Sequence, residues 1–511
     1  MSSSFEIEFG TSGYRGKIAD DFTYESVKVV SQAVCDFLNE KYKGTFPSKQ
    51  IVIGYDTRFL SEEFAKISAC VFCANGFNVL FADTFTPTPV IAIKILKEKA
   101  LGAINITASH NPYNYNGIKF SPEWGGPALP EDTEVLTKKS NELLKNPRYN
   151  FMDFNEAKKA GLLKEEDFIG YYAELVKSKL DLKLIKENAG SLYPFITSLH
   201  GTSKGIIGKI LGEAGYQFKE IYEERDAFFK PGFAPDPSAK NLKEMGGLIK
   251  EYNGYDGKNG AGSREEEGMI NAAKVEKSEK GKKTAIGLAA DGDADRYGIL
   301  DEDGEFVEPN IIFPLLYNYY IEGKGIKGDA ARSVATSALL DRIARHYGFK
   351  VLETPVGFKY LGKLISEEKV VIAGEESSGL TVIGHTPDKD GIYTCLLVLE
   401  MLAYYKKPLK VLVKDILEKF GPIFTKRINV PVNKEKFKAE IDEKMEKFPD
   451  VFKGRKVTGK NLTDGYKVFF DDDSWLLARL SGTEDLMRIY GEADTEQNLD
   501  VLISAFQKYL I

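Results

Sequence analysis

Asp291-Gly292-Asp293-Ala294-Asp295-Arg296 sets a carboxylate at every second residue, directly after the apolar run 284–290. Small Gly and Ala spacers let such a chain curl until its carboxylates meet one hard cation. Three carboxylates leave coordination positions open, which suits Mg²⁺ at a phosphate site. A solvated acidic turn is the other reading. A calcium EF-hand, suggested by Glu302 at the twelfth position, fails on two counts. Arg296 stands where that loop needs Gly, and β-like runs flank it.

A second stretch, "AINITASHNPYNYNGIKF" (103–120), delivers Ser109, His110 and Asn111 from an apolar run into a loop stopped by Pro112. A serine is a weak nucleophile until a base or a metal activates it. His110 is adjacent, but neighbours in an extended chain point to opposite sides, so His110 is expected to contact a phosphate and not to serve as the base. Pro112 holds Asn111 extended, and Asn116-Gly117 is expected to turn the chain and return Lys119 to the same place. A plain turn explains these residues equally well.

Two further loops are chemically suggestive. In "RLSGTEDLMR" (479–488), Ser481-Gly482-Thr483 offers hydroxyls and a possible anion nest between Arg479 and Arg488. A hairpin turn with exposed charges is the alternative. In "VIAGEESSGLTVIG" (371–384), Glu375, Glu376 and Ser377 suit hydrogen bonding to sugar hydroxyls; a solvated loop is the alternative. "FGTSGYRGK" (9–17) brings Arg15, and "TPVGFKY" (354–360) brings Gly357 and Lys359. Each is a turn by default. His346 reads as structural.

The elements that must position these groups repeat. Stretches 51–89, 195–224 and 333–357 each run from an apolar segment through a polar turn and an amphipathic helix to a Gly-aromatic pair and a second apolar segment. Gly76, Gly215 and Gly348 are expected just past the helix ends in left-handed conformation. Each stretch is a βαβ unit, so the fold class is α/β: three similar mixed α/β domains. The region from 423 onward has short strand-like runs and a final helix, a smaller C-terminal α+β domain. The expected domains are 1–160, 161–302, 303–422 and 423–511. The Gly-rich, charged stretch 253–268 reads as an exposed insertion.

A chain of 511 residues has room for about three or four domains. A net charge of −7 argues against nucleic-acid binding, which wants a basic face. The N-terminus has no basic, apolar leader, and no apolar window approaches a membrane span of about 20 residues. Cys35, Cys70, Cys73 and Cys395 are expected as reduced core thiols, with Cys70-x-x-Cys73 inside a helical pattern. A cytoplasmic protein is expected, a monomer or small homo-oligomer.

Together the stretches Gly13-Tyr14-Arg15-Gly16, 107–112 with Asn116-Gly117-x-Lys119, 291–296, Gly357-Phe358-Lys359, 374–377 and 479–484 resemble, in order, the α-D-phosphohexomutase superfamily of phosphoglucomutases and phosphomannomutases. The resemblance spans nearly the whole chain. It implies four domains around a central cleft, each giving one loop to the site. It implies Ser109 as phosphoserine, with Asp291, Asp293 and Asp295 holding Mg²⁺ and a serine phosphate oxygen completing the shell. It implies Glu375 and Ser377 on sugar hydroxyls, and Arg479, Ser481, Gly482 and Thr483 on the non-transferring phosphate. Arg15, His110 and Lys119 would stand near the transferring group, Lys119 as first choice for general base or acid. Gly357 and Lys359 would belong to the sugar-recognition loop, and Arg296 and Arg488 would join the substrate contacts.

The implied reaction converts a hexose 1-phosphate to the 6-phosphate through a hexose 1,6-bisphosphate, with glucose 1,6-bisphosphate as activator. "GEESSG" and "GGPALPEDT" (125–133) resemble the glucose-preferring branch, although Ser378 departs from both branches. A phosphomannomutase, a dual enzyme, a Mg²⁺-dependent serine phosphatase and a non-enzymatic sugar-phosphate sensor are the alternatives.

Overall fold

The computed structural model describes residues 5–10, 13–222, 224–229, 233–254, 283–480 and 485–511. The expected insertion falls almost wholly outside them, as do Ser481, Gly482 and Thr483. The chain divides into two compact units. One comprises Met1–Glu308, Ser378–Leu380 and His385–Val411; the other comprises Pro309–Ser377, Thr381–Gly384 and Leu412–Ile511.

In the first unit, β1 (Tyr14–Lys17), β2 (Gln50–Tyr55), β3 (Asn78–Ala82), β4 (Gly102–Ile106), β5 (Tyr115–Pro122) and β6 (Leu163–Glu166) form a mixed sheet ordered β1-β5-β4-β2-β3-β6. Strands β4, β2, β3 and β6 pair in parallel, whereas β5 runs antiparallel to β4 and β1. Ile51, Val52 and Ile53 are all fully buried, as a parallel strand covered on both faces requires. A second mixed sheet is ordered β11-β10-β9-β7-β8, from β7 (Leu192–Thr197), β8 (Lys219–Ile221), β9 (Thr284–Ala290), β10 (Tyr297–Leu300) and β11 (Phe306–Val307).

A third sheet is ordered β13-β12-β14-β15, from β12 (Ala330–Ser333), β13 (Val351–Thr354), β14 (Ile372–Glu375) and β15 (Gly379–Val382). The C-terminal sheet is antiparallel, in the order β16-β21-β20-β19-β18-β17. Its strands are β16 (Phe424–Pro431), β17 (Val451–Phe452), β18 (Arg455–Asn461), β19 (Tyr466–Phe470), β20 (Trp475–Leu480) and β21 (Leu486–Ala493). The final helix, Glu496–Leu510, is capped by Thr495 and packs Leu499, Leu502, Ile503 and Phe506 onto this sheet.

The three repeated stretches are parallel β-α-β units, β2/β3, β7/β8 and β12/β13, joined by helices Ser61–Ala74, Ile206–Glu213 and Leu339–His346. Gly76, Gly215 and Gly348 have φ of 77°, 84° and 78°, all left-handed. The four cysteines are buried free thiols. No helix among the described residues is long and apolar enough to cross a membrane.

One local expectation fails. Asn116-Gly117 is not a turn but part of β5, paired with β1 through Gly16↔Asn116 and Arg15↔Gly117. The reversal occurs earlier, where the Asn111 N–H donates to the Ala108 carbonyl and the Tyr115 N–H to the Pro112 carbonyl. Sheet register overrides the turn propensity of Asn-Gly. Lys119 still returns toward the serine loop because it pairs across from Asn105 of β4.

Candidate active site

Strand β4 ends at Ile106, and the chain turns at once. Ser109 has φ of 53°, rare for a non-glycine, and its N–H donates to Thr107 Oγ1 at 2.8 Å. The loop is held from below by Arg58, which follows β2. Its guanidinium donates to the carbonyls of Ser109 (2.5 Å), Asn111 (2.7 Å), Pro112 (2.8 Å) and Tyr115 (3.1 Å). Asp56 pairs with Arg58 at 3.0 Å, and the Phe229 ring lies 4.8 Å from the guanidinium carbon.

Strand β9 delivers the acidic loop to the same place. Ser109 Oγ donates to Asp291 Oδ2 at 2.9 Å. Gly292 makes this approach possible, since a Cβ there would stand 2.6 Å from the Ser109 carbonyl oxygen. Ligand atoms of Asp291, Asp293 and Asp295 lie within 4.8 Å of one another, and all three residues are buried. Burial, with Asp295 and Asp293 alongside, pushes the Asp291 carboxyl well above its ordinary range. Burial also works to raise Asp293, but Lys119 at 2.7 Å and Thr88 Oγ1 at 2.6 Å hold it below that range. Lys389 pairs with Asp295 at 3.0 Å.

This donor set fits a hard divalent cation. Among the described residues, Asp293 Oδ1 and Asp295 Oδ1 are buried without a hydrogen-bond partner, and buried carboxylate oxygens without partners are costly. All three side chains offer oxygen, the ligand Mg²⁺ prefers. Flanking strands β9 and β10 exclude the helix-loop-helix of an EF-hand, and Glu302 instead accepts the Leu409 and Lys410 N–H groups.

His110 departs from the extended-chain expectation. The left-handed Ser109 swings the next residue round, so His110 Nδ1 lies 3.3 Å from Ser109 Oγ. Arg296, burial and Arg15 keep its imidazole well below the usual pKa, hence neutral. Arg15 donates to Asn111 Oδ1 at 2.7 Å, and Arg296 pairs with Asp236 at 3.3 Å. The first unit thus brings together Ser109, His110, Arg15, Lys119, Arg296 and the three Asp.

The other candidates belong to the second unit. Glu375, at the end of β14, accepts the Gly357 N–H at 3.0 Å, and Ser377 Oγ stands 3.4 Å from it. Glu376 turns instead toward Ser333 Oγ at 3.2 Å. The Lys359 ammonium lies 5.5 Å from the Tyr360 ring centre. Arg479 on β20 sits directly opposite Arg488 on β21. Like charges facing across a ladder are unfavourable, unless an anion lies against both.

Sequence reasoning missed Arg58, Asp56, Thr88 and Lys389. The signal for the first two was present: Asp56 and Arg58 set opposite charges at the carboxyl end of a largely apolar parallel strand, where α/β sheets bind ligands. It also left His385 unassigned. His385 is buried, its Nε2 2.7 Å from Asp390, which also receives the Tyr172 hydroxyl.

Comparison with known proteins supplies the family. Models of the phosphoglucomutase/phosphomannomutase family match in order: α/β/α domain I over 6–146, domain II over 170–304, domain III over 308–420 and the C-terminal domain over 428–506. The phosphoglucomutase/phosphomannomutase of Thermococcus kodakarensis is 30% identical, with 96% of this chain and 95% of that protein covered. A Methanosphaera stadtmanae protein named for phosphoglucosamine mutase is 28% identical, with 98% of each covered. A Thermus thermophilus crystal structure named for phosphomannomutase superposes with a TM-score of 0.78 at 28% identity, covering 99% of both chains. With its three mixed α/β domains, its antiparallel C-terminal domain and its acidic triad beside a serine, this chain belongs to the phosphoglucomutase/phosphomannomutase family and is a phosphohexomutase.

Proposed function

We propose that this phosphohexomutase interconverts α-D-glucose 1-phosphate and glucose 6-phosphate, with Ser109 as the phosphoryl carrier and glucose 1,6-bisphosphate as intermediate and activator. The observation that carries the reading is the 2.9 Å contact between Ser109 Oγ and Asp291, at the edge of three carboxylates. Asp291, Asp293 and Asp295 would hold Mg²⁺, with a serine phosphate oxygen joining them. The ion supplies charge neutralisation for the transferring phosphoryl group.

The chain's own residues do the rest. Arg15, His110 and Lys119 surround the transferring group; Arg15 and Lys119 bring positive charge to it, and the neutral His110 supplies a hydrogen bond. The bond from phosphorus to Ser109 Oγ breaks as the bond to the sugar 6-hydroxyl oxygen forms. Lys119 is proposed as the general base or acid: once substrate separates it from Asp293 and it has given up its ammonium proton to water, its neutral amine takes the hydroxyl proton. The bisphosphate then reverses end for end, and Ser109 recovers the phosphoryl group from the 1-position. Glu375, Ser377, Gly357 and Lys359 orient the sugar. Arg479, Arg488, Ser481, Gly482 and Thr483 hold the non-transferring phosphate, and Arg296 joins the substrate contacts. Each of four divisions, 1–160, 161–302, 303–422 and 423–511, contributes one of these loops. The proposed compartment is the cytoplasm, consistent with four buried free thiols. The proposed working unit is a monomer or small homo-oligomer.

The sugar is argued from Glu375 and Glu376, the paired glutamates that resemble the glucose-preferring branch. The names of the relatives are mixed between phosphoglucomutase, phosphomannomutase and phosphoglucosamine mutase, and those of some supply a second reading, with mannose or glucosamine phosphates as substrate. Comparing kcat/KM for the 1-phosphates of glucose, mannose and glucosamine separates the two. Glucose 1-phosphate is expected to lead; a lead for either other sugar overturns the choice.

A further inference from the structure

Asp464 lies in the turn between β18 and β19, and its Oδ2 accepts two hydrogen bonds. One comes from Arg479 Nε at 2.7 Å, the other from the Val356 N–H at 2.8 Å. The next amide along, Gly357 N–H, donates to Glu375 Oε1 at 3.0 Å. One dipeptide therefore aims two carboxylates. Val356 fixes the carboxylate that holds Arg479, and Gly357 fixes the carboxylate assigned to sugar hydroxyls.

The local backbone is built for this. Gly357 has φ of 130°, a conformation that L side chains rarely adopt. The β18–β19 turn is anchored again at Asn461, whose amide donates to Glu353 at 2.5 Å and accepts from the Thr463 N–H at 2.8 Å. Arg479 is only partly exposed at 17%, and Asp464 at 22%, so their charge-assisted bond is shielded from solvent on most sides. Among the described residues, Asp464 is the carboxylate that sets the direction of Arg479, which stands opposite Arg488 across the ladder.

We propose that Asp464 is a positioning residue that sets the spacing between the sugar grip and the phosphate grip, a reading that rests on Arg479 being a phosphate ligand. A hexose phosphate spans only a limited range of distances between its phosphate and its ring hydroxyls. Two grips registered through one dipeptide match that range without rearranging on each binding event. The spacing matters twice per turnover, because both ends of the bisphosphate are held in turn.

Asp464→Asn, Asp464→Glu, Arg479→Gln and the Asp464→Asn/Arg479→Gln double variant of the full chain test this by steady-state kinetics with glucose 1-phosphate. Thermal unfolding and serine phosphorylation by glucose 1,6-bisphosphate are followed on each. Asp464→Asn is expected to raise KM about tenfold to a hundredfold while kcat falls much less. Asp464→Glu, which keeps the charge, recovers part of the loss, and the double variant is no worse than Arg479→Gln alone. If Arg479→Gln raises KM but Asp464→Asn does not, or the two losses multiply, the positioning role is wrong. If Arg479→Gln leaves KM unchanged, the phosphate assignment itself falls and the inference with it. Should Asp464→Asn lose its folded transition, Asp464→Glu decides: a KM equal to that of Arg479→Gln overturns the proposal.

Discussion

Arg58 carries a positive charge with no exposed surface and spends its guanidinium on Asp56 and on four carbonyls of the serine loop. Ser109, with its left-handed backbone, is thus braced through its carbonyl by Arg58 and through its N–H by Thr107. Arg58→Met would leave Asp56 buried without its counter-charge, a loss of about 3–5 kcal/mol. It would also release the loop, and a misplacement of about 1 Å can cost about a hundredfold in rate. Thermal unfolding together with kcat on the folded fraction checks both parts. Stability lost with kcat unchanged would show that Arg58 braces the domain but not the nucleophile.

At the scale of elements, the metal loop and the serine loop meet because each follows directly on a buried strand and because Gly292 has no side chain. Gly292→Ala puts a Cβ against the Ser109 carbonyl and the Pro235 ring, an overpacking worth about 1–3 kcal/mol. The expected result is a lowered melting temperature and a higher Mg²⁺ concentration for half-maximal activity; an unchanged Mg²⁺ requirement would contradict it. The βαβ units and the acidic triad were legible in the sequence because apolar runs, terminal glycines and alternating carboxylates are local signals. Asn116-Gly117 misled because its turn propensity yielded to pairing with β1, a partner far away in the chain. The charge of Arg58 at the end of β2 was visible, but its hold on the serine loop was hidden because it recognises backbone carbonyls, which leave no mark on side-chain spelling. The His110 geometry was hidden because it depends on one unusual φ at Ser109.

At the scale of the whole molecule, the two units carry different parts of the proposed chemistry, phosphoryl transfer in the first and sugar and phosphate recognition in the second. Inside the second, Lys467 joins the C-terminal sheet to β12 and β13. Its ammonium donates to Glu353 at 2.6 Å and to the Val334 carbonyl at 2.7 Å, with 1% of the side chain exposed. Burial and the nearby Arg332 push its pKa down from 10.5 to about 8. Between those values the unfolded chain binds the extra proton, so this residue's contribution to stability rises with pH and is flat below about 8. The stability difference between wild type and Lys467→Met, followed from pH 7 to about 10 by denaturant titration, is expected to rise over that window. A difference that falls with pH would contradict this placement of the charge.

The central claim is that Ser109 carries the phosphoryl group. Intact-mass spectra of wild type and Ser109→Ala, before and after glucose 1,6-bisphosphate with Mg²⁺, test it most directly. Wild type is expected to show one phosphoryl group of added mass on loading, and to return it to glucose 1-phosphate as bisphosphate. Ser109→Ala is expected to stay at its unmodified mass while still binding sugar phosphate. A phosphorylated Ser109→Ala protein, or a wild type that turns over without ever carrying the group, would contradict it.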